Sequence, residues 1–430
     1  NNFESRCYMI NLNDNNISFS KYVKFMENRD EFIIINGDSG IWLIINKPML
    51  NKIKYCIDNK VAPLKYIDSL ESIAEKQELA EAFEILFDEE IIVKSNEKEE
   101  INISEIEFKI TNKCNLKCLH CAASSDISNI DTLSTNQIKL ILDKIFKLDI
   151  DTLLITGGEP LIRQDIETLL PYIRNNFKGV VNLITNGTLI DKEMAHLLKK
   201  CVTAVSISVD GYDKISTDFI RGKGAYDKII QAIDNLKEAG FNKETIILTM
   251  TTTNQNLNHE NDFNSLCEKL DVTGGVRKFV PLGRGFDNYS NLGVDNYSNL
   301  KLDNSNDLEE VRECLQCNIM CRAGTGKLSI NDLGELHPCL ILDNKEYNFG
   351  NILNDELNEI FASKEYMNFI NNKVRKSVVD DIPKCKDCNV RYFCIDRCSG
   401  VNDFYYNDKE SLEKRCNYLK PYLSKVLWDE

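Results

Sequence analysis

The stretch Ile106-Glu107-Phe108-Lys109-Ile110-Thr111-Asn112-Lys113-Cys114-Asn115-Leu116-Lys117-Cys118-Leu119-His120-Cys121 leads from a β-rich run into three closely spaced cysteines. Three thiolates on one tight loop can hold three irons of a cubane iron–sulfur cluster and leave the fourth iron open to a small molecule, whereas a cluster that only carries electrons normally has four protein ligands. A zinc knuckle should add a second ligand pair downstream, and His120 is poorly placed to share its neighbours' metal. The spacing of Cys114, Cys118 and Cys121 therefore favours a cluster over zinc.

The composition agrees with a metal-binding protein of a reducing compartment. The chain has 16 cysteines in 430 residues, and nine of them fall between Cys314 and Cys416. Disulfides are rare in the cytosol, where clustered cysteines usually bind metal. No signal-peptide pattern opens the chain, and no apolar run approaches the ~20 residues of a membrane helix, so a cytoplasmic protein is predicted. The net charge of −15 argues against a nucleic-acid carrier, because such proteins present a basic face.

Residues 98–300 alternate between strand-like and helix-like patterns. The apolar runs typical of strands are 106–110, 152–155, 180–184, 202–209, 245–250 and 276–280. The helical periods between them include 137–146, 192–199, 226–239 and 260–270. Such alternation predicts a parallel sheet flanked by helices. Six units are fewer than the eight of a closed barrel, so the predicted α/β fold is a partial (β/α)6 TIM-like barrel.

Residues 1–97 predict a small mixed module before this barrel. The runs 31–36 and 41–45 are β-rich, and Gly37-Asp38-Ser39-Gly40 between them is a hairpin signal. Pro48 opens a helical pattern, further helices are expected at 70–77 and 78–88, and a closing strand is expected at 91–93. A hairpin followed by three helices and a strand resembles a winged helix. The charged residues 96–100 form the expected linker, and 301–430 form a cysteine-rich C-terminal domain.

Small polar groups follow consecutive strands of the predicted sheet. Thr156-Gly157-Gly158-Glu159-Pro160 comes after the second strand, where the glycines let a ligand approach the backbone and Glu159 offers an acceptor for a cation. Asn186 follows the third strand, Ser208 the fourth, and Arg221 beyond them could pair with a carboxylate. A plain glycine turn and a surface ion pair are the alternatives. Because the carboxyl ends of parallel strands share one edge, a site is predicted there beside the cysteine loop.

The cysteine triplet after strand one, followed by Gly-Gly-Glu-Pro after strand two, resembles the radical S-adenosylmethionine (radical SAM) enzymes over about 105–285. The resemblance implies that the open iron chelates S-adenosylmethionine and that its cleavage forms a 5′-deoxyadenosyl radical, which removes a hydrogen atom from the substrate. The residues that the resemblance assigns to this cofactor are Gly157, Gly158 and Glu159 for the methionine amino group, and Asn186, Ser208 and Arg221 for the ribose or carboxylate.

The later cysteines resemble the SPASM extension of peptide-modifying radical enzymes, which carries two auxiliary 4Fe–4S clusters. The resemblance implies an outer cluster held by Cys385, Cys388, Cys394 and Cys416, and an inner cluster held by Cys321, Cys339 and Cys398. The fourth inner ligand stays open among Cys317, Cys314 and a substrate thiolate. The predicted cofactors are therefore S-adenosylmethionine and three 4Fe–4S clusters.

In this context residues 31–93 resemble the recognition element of maturases of ribosomally synthesised and post-translationally modified peptides (RiPPs). That element binds a leader peptide as an added strand at a sheet edge. The predicted partners are a leader-bearing precursor peptide and a low-potential electron donor such as flavodoxin or ferredoxin. No nucleic acid and no membrane are expected.

These resemblances predict an enzyme, a peptide-modifying oxidoreductase that forms thioether cross-links from cysteine sulfur to carbon, as in sactipeptide and ranthipeptide maturation. Carbon–carbon cross-linking is the nearest alternative. Sulfatase-maturating enzymes place a catalytic aspartate where Leu340 stands, and leucine cannot accept a proton. A zinc-stabilised DNA-binding protein is the alternative from another class, against which stand the net charge and the lack of a basic recognition helix.

Overall fold

The computed structural model describes residues 12–95, 102–293, 321–374, 377–394 and 409–428, together with the single residues 312, 315, 398, 400 and 402. The predicted linker 96–100 and the candidate ligands Cys314 and Cys317 lie outside the described residues. The chain folds as two compact units. One unit takes Asn1–Glu100, Leu300–Cys321 and Asn371–Glu430, and the other takes Ile101–Asn299 and Arg322–Ile370. None of the helices described combines the length and the apolar character needed to cross a bilayer.

The strands are β1 (Ile17–Phe19), β2 (Val23–Asn28), β3 (Glu31–Asn36), β4 (Trp42–Asn46), β5 (Ile92–Lys94), β6 (Glu105–Lys109), β7 (Thr152–Thr156), β8 (Val180–Thr185), β9 (Ala204–Ser208), β10 (Ile246–Thr252), β11 (Thr273–Lys278), β12 (Lys327–Ile330) and β13 (Leu336–His337). The α-helices are α1 (Lys47–Asp58), α2 (Pro63–Asp68), α3 (Ile73–Asp88), α4 (Thr135–Ile145), α5 (Ile166–Asn176), α6 (Lys192–Cys201), α7 (Lys214–Arg221), α8 (Ala225–Glu238), α9 (Glu260–Lys269), α10 (Arg284–Asp287), α11 (Tyr289–Leu292), α12 (Leu357–Phe361), α13 (Lys364–Phe369), α14 (Arg391–Cys394) and α15 (Lys409–Trp428).

The N-terminal part of the first unit contains an antiparallel sheet in the order β2-β3-β4 and a separate pairing of β1 with β5. The predicted hairpin is the β3–β4 pair, and the predicted closing strand is β5. Strands β1 and β2 and helix α2 were not predicted from the sequence. The assignment of these elements to a winged helix stays a prediction.

A single helix, α3, stands where two helices were predicted at 70–77 and 78–88. Gln77 and Glu78, at the junction of the two predicted helices, are both favourable in a helix. Ser72 caps the start of α3 by accepting a hydrogen bond from the Glu75 N–H. The helix turns Leu79 and Phe83 inward, where they are fully buried. The module therefore has its own hydrophobic core.

Eight strands form the main sheet of the second unit, in the order β11-β10-β9-β8-β7-β6-β12-β13. All neighbouring pairs from β11 to β12 are parallel, and only β13 runs antiparallel to its neighbour. The predicted α/β fold around a parallel sheet is confirmed. The strand predicted at 276–280 is β11, at Thr273–Lys278, and Gly274 and Gly275 obscured its start because glycine is depleted in strands.

Strands β12 and β13 extend this sheet beyond the six predicted strands. Leu328 of β12 pairs in register with Ile106 of β6, and Ile330 pairs with Phe108. All four side chains are at most 1% exposed. The segment that carries Cys339 thus adds to the hydrophobic core behind the cysteine loop. The predicted domains 1–97, 98–300 and 301–430 are each continuous in sequence, and these boundaries stay a prediction.

The two faces of the parallel sheet differ in polarity. One face carries apolar side chains that are fully buried, including Phe108, Ile155, Leu183, Ile207 and Leu248. The opposite face carries the polar residues Lys109 and Thr156, which are in register, and Ser208 and Thr249, which are also in register. Parallel strands usually read as continuous apolar runs because both faces are covered by apolar layers. The polar face therefore marks the side of the sheet where a ligand site is expected.

Candidate functional site

The cysteine loop, residues 110–125, begins directly after β6 at the carboxyl edge of the sheet, and it packs on the Gly-Gly pair after β7. Gly158 N–H donates to Thr111 O at 2.8 Å. A Cβ atom on Gly158 would lie 2.5 Å from Lys113 O, and one on Gly157 would lie 2.6 Å from Thr111 O. The group that approaches these glycines closely is therefore the backbone of the cysteine loop. Their predicted contact with the methionine amino group stays a prediction.

The far end of the cysteine loop is tied to α7 and α10. Leu119 N–H donates to Ile220 O at 2.9 Å. Arg284 Nε donates to Cys118 O at 3.0 Å, and its Nη2 donates to Ser125 O at 2.6 Å. Sequence reasoning missed Arg284, because a single arginine between two glycines carries no motif.

Glu159 is fully buried, and its carboxylate is hydrogen-bonded within the chain. Oε1 accepts from the Thr185 hydroxyl at 2.8 Å and from Leu161 N–H at 3.0 Å, and Oε2 accepts from Asn186 N–H at 2.7 Å. Burial raises the pKa of this carboxyl, and the three hydrogen bonds oppose that rise. Glu159 thus fixes the end of β8 against the Gly-Gly turn. Its predicted contact with the cofactor stays a prediction.

Asn186 lies beside the first cysteine of the loop. Its Nδ2 donates to Asn115 Oδ1 at 2.8 Å and lies 3.9 Å from Cys114 Sγ. Its Oδ1 accepts from the Thr188 N–H at 2.9 Å. This network joins the carboxyl end of β8 to the cysteine loop.

A cavity of about 140 Å³ opens between these elements. Its lining includes the three cysteines of the loop and five of the six residues that sequence analysis assigned to the cofactor, namely Cys114, Cys118, Cys121, Gly157, Gly158, Asn186, Ser208 and Arg221. The sixth, Glu159, supports the wall from behind through Thr185 and Asn186. The structure therefore brings the two sequence motifs together around one space.

A buried cluster of charges borders this cavity. The Asp210 carboxylate lies 2.5 Å from Arg221 Nη2 and 2.6 Å from His120 Nε2, and it accepts from Thr251 N–H at 2.7 Å. Burial alone would raise the pKa of Asp210, but Arg221 and His120 outweigh it and hold that pKa below its usual range. The carboxylate that pairs with Arg221 is therefore that of Asp210 in the same chain. The other terminal nitrogen of Arg221, Nη1, lies 4.0 Å from Cys118 Sγ.

Sequence reasoning missed His120 and Asp210 as site residues. The two are 90 positions apart, and no spacing rule connects them. One signal was available, because Asp210 directly follows the strand predicted at 202–209 and so had to lie at the same sheet edge as the cysteine loop.

Burial favours the protonated form of two thiols of this loop, Cys114 and Cys118. Burial raises the pKa of the Cys114 thiol to about 11 and also raises that of Cys118, which Arg221 partly offsets. Iron ligation requires thiolates and therefore displaces these protons. Among the described residues no three metal-binding side chains lie close enough to share a single ion. A cubane cluster places each thiolate on a different iron, so its ligands are spaced more widely than those of one ion.

Four of the C-terminal cysteines line a second cavity, of about 30 Å³, in the first unit. They are Cys385, Cys388, Cys394 and Cys416, the four residues predicted as ligands of the outer cluster. Cys388 N–H donates to Cys385 O at 2.8 Å in a tight turn, while Cys394 ends α14 and Cys416 lies on α15. The structure thus gathers residues from two helices and a loop. Ligation of iron by them stays a prediction.

The predicted ligands of the inner cluster belong to different units. Cys321 and Cys398 are part of the first unit, and Cys339 is part of the second. Cys339 is 8% exposed and precedes the short 3-10 helix Leu340–Leu342. Cys317 lies outside the described residues. This ligand set stays a prediction.

Comparison with known proteins defines the class to which both cysteine regions belong. Residues 108–266 match the radical SAM superfamily, and residues 321–389 match the iron–sulfur cluster-binding domain SPASM. The chain therefore contains a radical SAM domain followed by a SPASM domain. The predicted cofactors, S-adenosylmethionine and three 4Fe–4S clusters, are confirmed by these matches.

Two curated proteins are similar to parts of this chain. The mycofactocin maturase MftC of Mycolicibacterium smegmatis is 34% identical over 186 residues, which are 43% of this chain and 47% of MftC. The antilisterial bacteriocin subtilosin biosynthesis protein AlbA of Bacillus subtilis is 29% identical over 268 residues, which are 60% of this chain and 59% of AlbA. The chain thus spans about half the length of these curated relatives.

One solved structure shares the fold across most of the chain. The crystal structure of Streptococcus suis SuiB bound to S-adenosylmethionine has a TM-score of 0.52 and 17% sequence identity. The match covers 91% of this chain and 96% of SuiB. At this identity the likeness concerns the fold alone.

Proposed function

We propose that this protein is a radical SAM maturase that forms thioether cross-links from cysteine sulfur to carbon in a ribosomally synthesised precursor peptide. The observation that carries the proposal is the combination in one chain of a three-cysteine cavity, a four-cysteine cavity and an N-terminal sheet whose edge strand β4 pairs, among the described residues, with β3 alone. The relatives support a peptide substrate, since MftC is named a maturase and AlbA a bacteriocin biosynthesis protein.

The residues of the first cavity divide into those that hold a cofactor and those that hold the loop. Cys114, Cys118 and Cys121 would bind the catalytic cluster, and the polar groups of the cavity wall would bind S-adenosylmethionine. Bound together, these cofactors supply a carbon-centred radical that removes a hydrogen atom from the peptide. Arg284 and Glu159 keep the cysteine loop and the strand ends in place through backbone hydrogen bonds.

One edge of the N-terminal sheet is already occupied. The sheet β2-β3-β4 has two edge strands, and the unpaired backbone groups of an edge can bind an extended peptide. On β2 the outward carbonyl of Phe25 accepts from Arg391 Nη2 at 2.8 Å. A leader peptide would have to displace this arginine to pair with β2.

The β4 edge is the better docking strand for a leader. The hydrogen bond from Asn36 N–H to Ile41 O sets the pairing of β3 with β4, so the N–H and C=O of Ile44 point away from β3. The side chains of Ile41 and Ile44 are 39% and 38% exposed. We therefore place the leader on β4, where it would form backbone hydrogen bonds and contact exposed isoleucines.

Thioether formation is preferred to carbon–carbon cross-linking because of the inner ligand set. Position in the motif assigns three cysteines to the inner cluster, and a substrate thiolate could supply the fourth ligand unless Cys317 or Cys314 does so. Sulfatase maturation is disfavoured by Leu340, whose side chain cannot accept a proton and whose N–H donates to Glu107 Oε2 at 3.2 Å. A low-potential flavodoxin or ferredoxin is the electron donor that we propose.

The test is anaerobic incubation of the reconstituted protein with S-adenosylmethionine, dithionite and the precursor encoded nearest to its gene. Each thioether replaces one S–H and one C–H bond, so the peptide should lose two hydrogens and one alkylatable thiol per cross-link. High-resolution mass spectrometry before and after thiol alkylation measures both changes.

Two other outcomes are informative. Loss of two hydrogens with every thiol still alkylatable would move the reaction to carbon–carbon cross-linking. An unchanged peptide, in a reaction that still releases deoxyadenosine, would contradict the proposed substrate but not the radical SAM assignment.

A further inference from the structure

Trp42, the first residue of β4, reaches two cysteine-bearing segments of the first unit. Its indole N–H donates to Leu315 O at 2.8 Å. Its ring meets Phe393 edge to face, with ring centroids 5.2 Å apart and planes at 83°. In sequence, Leu315 lies between Cys314 and Cys317, and Phe393 directly precedes Cys394.

A second set of contacts joins β2 to the same region. Arg391 donates through Nη2 to Phe25 O at 2.8 Å and through Nη1 to Cys388 O at 3.1 Å. Lys24 Nζ lies 3.8 Å from the Asp380 carboxylate, which also lies 3.4 Å from Arg391 Nε. Residues 385–394, here called the outer cysteine loop, therefore contact both edge strands of the N-terminal sheet.

We propose that Trp42 is a positioning residue that couples the β4 edge to the outer cysteine loop, so that a leader peptide and the outer cluster each strengthen the binding of the other. The inference rests on the proposed leader site on β4. The coupling makes the affinity of β4 for the leader depend on the presence of the outer cluster. The chain with its outer cluster would therefore bind the precursor more tightly than the chain without it.

The coupling arises from a shared ordering step. A peptide strand paired with β4 would restrict the backbone that carries Trp42. Ligation of iron by Cys388 and Cys394 would restrict the backbone on either side of Phe393. Because the rings of Trp42 and Phe393 are in contact, ordering one residue reduces the conformational entropy that the other loses when its own site is filled. Coupling of this kind is reciprocal, so each ligand strengthens the binding of the other by the same factor.

The size of the effect follows from the contacts that carry it. An edge-to-face aromatic pair contributes an interaction that corresponds to about a 3- to 10-fold change in an equilibrium constant. We therefore expect the leader to bind about 3- to 10-fold more tightly to the chain with a loaded outer cluster than to the chain without it.

The experiment is a comparison of dissociation constants in the full chain. The probe is a fluorescein-labelled synthetic leader of the precursor encoded nearest to the gene. The outer cluster is removed by the double substitution Cys385→Ser and Cys388→Ser, with reconstitution and iron analysis of both proteins. The quantity compared is the dissociation constant of the leader without the outer cluster divided by the dissociation constant with it.

In the Trp42→Leu background this ratio should fall below about 2-fold. Trp42→Phe, which keeps an aromatic ring against Phe393 and loses the indole donor, should retain part of the ratio.

Trp428→Phe is the matched control. Trp428 Nε1 donates to Asn389 O at 2.8 Å, within the same loop, but it lies on α15 and not on β4. This variant should keep the full ratio. An unchanged ratio in Trp42→Leu, or a ratio near 1 in the parent chain, would overturn the coupling while leaving leader recognition intact.

Hydrogen exchange of residues 42–46 supplies a readout that needs no peptide. In the parent chain the amides of β4 should be better protected when the outer cluster is loaded, and this difference should disappear in Trp42→Leu. If the peptide binds to no variant, the proposed leader site fails, and the exchange measurement alone decides the coupling. Equal protection of the β4 amides from hydrogen exchange with and without the outer cluster would then reject the proposed coupling.

Discussion

The carboxylate of Asp210 pairs with the Arg221 guanidinium, which would otherwise be buried without a counter-charge, and it also contacts His120. It is 1% exposed, and Arg221 beside it is 7% exposed. Arg221 also approaches Cys118, so the same ion pair sets the position of a cationic group next to a predicted iron ligand. Removal of one member of a buried pair is costly, because the remaining charge keeps its desolvation penalty without its partner.

Replacing Asp210 with asparagine should lower the free energy of unfolding by about 3–5 kcal/mol. Urea denaturation of the metal-free chain measures this change. The control is Asp227→Asn, since Asp227 pairs with Lys214 at the surface and such exposed pairs contribute little to stability. Adding Arg221→Met to Asp210→Asn should recover part of the loss. Equal stability of the Asp210 and Asp227 variants would contradict this account of the cluster.

Gly158→Ala should prevent the cysteine loop from reaching its position. The added Cβ would lie 2.5 Å from Lys113 O, a backbone atom that cannot move without moving the loop. We expect a loss of stability of about 1–3 kcal/mol or more and a reduced iron content after reconstitution. Gly275→Ala on β11 is the control, because its Cβ would lie 3.8 Å from the nearest atoms. Normal iron content in the Gly158 variant would show that the loop tolerates displacement.

At the scale of elements, β4 and β2 differ although both are edge strands of one small sheet. Arg391 blocks the outward carbonyl of Phe25 on β2, whereas Ile44 on β4 directs its N–H away from the sheet. Proline is tolerated on an edge strand where its missing N–H faces outward. Substitution by proline can therefore separate the role of each edge from the stability of the sheet.

Ile44→Pro should weaken leader binding by roughly 10-fold or more, because it removes an outward donor and distorts the proposed docking strand. Glu27→Pro on β2 is the matched control and should leave leader affinity within about 2-fold, since Glu27 also points its N–H outward. Fluorescence anisotropy of a labelled leader measures both. Equal weakening by the two prolines would move the leader away from β4, and circular dichroism of each variant would show whether the sheet persists.

At the scale of the whole molecule, the sheet behind the cysteine loop is built from two distant parts of the chain. Strand β12 pairs with β6, and the ion pair between Lys327 and Glu107, at 3.2 Å, joins them on the polar face. Lys109, the last residue of β6, pairs with Asp332 at 2.9 Å. The segment after β11 is therefore part of the fold that holds the cysteine loop.

A chain shortened to residues 101–299 should fail to unfold cooperatively. It would lose the burial of Leu328, Ile330 and Leu336, each contributing roughly 1.5–3 kcal/mol, and it would expose β6 as a new edge. A chain of residues 101–370 restores β12 and β13 and is the comparison. Thermal denaturation and hydrogen exchange of β6 measure the difference. Cooperative unfolding of the shorter chain with protected β6 amides would show that β12 is dispensable.

Local patterns predicted a large part of this architecture. The six predicted strands of the parallel sheet and four of its helices lie within a few residues of their predicted positions, because the alternation of apolar runs and helical periods is a property of neighbouring residues. The same reasoning failed at Gly274 and Gly275, which hid the start of β11. It also divided α3 in two, because sequence periodicity marks the ends of a helix poorly.

The sequence by itself determined where six strands of the parallel sheet lie and which cysteines are candidate cluster ligands, since both are patterns that can be read along the chain. Tertiary structure alone decided that the Asp210 carboxylate contacts both His120 and Arg221. It also decided that β12 pairs with β6 and that Trp42 lies against Phe393. These partners are separated by 11 positions in the case of Asp210 and Arg221 and by 351 in the case of Trp42 and Phe393. No local pattern specifies such contacts, because they form only when the burial of apolar surface brings distant segments together.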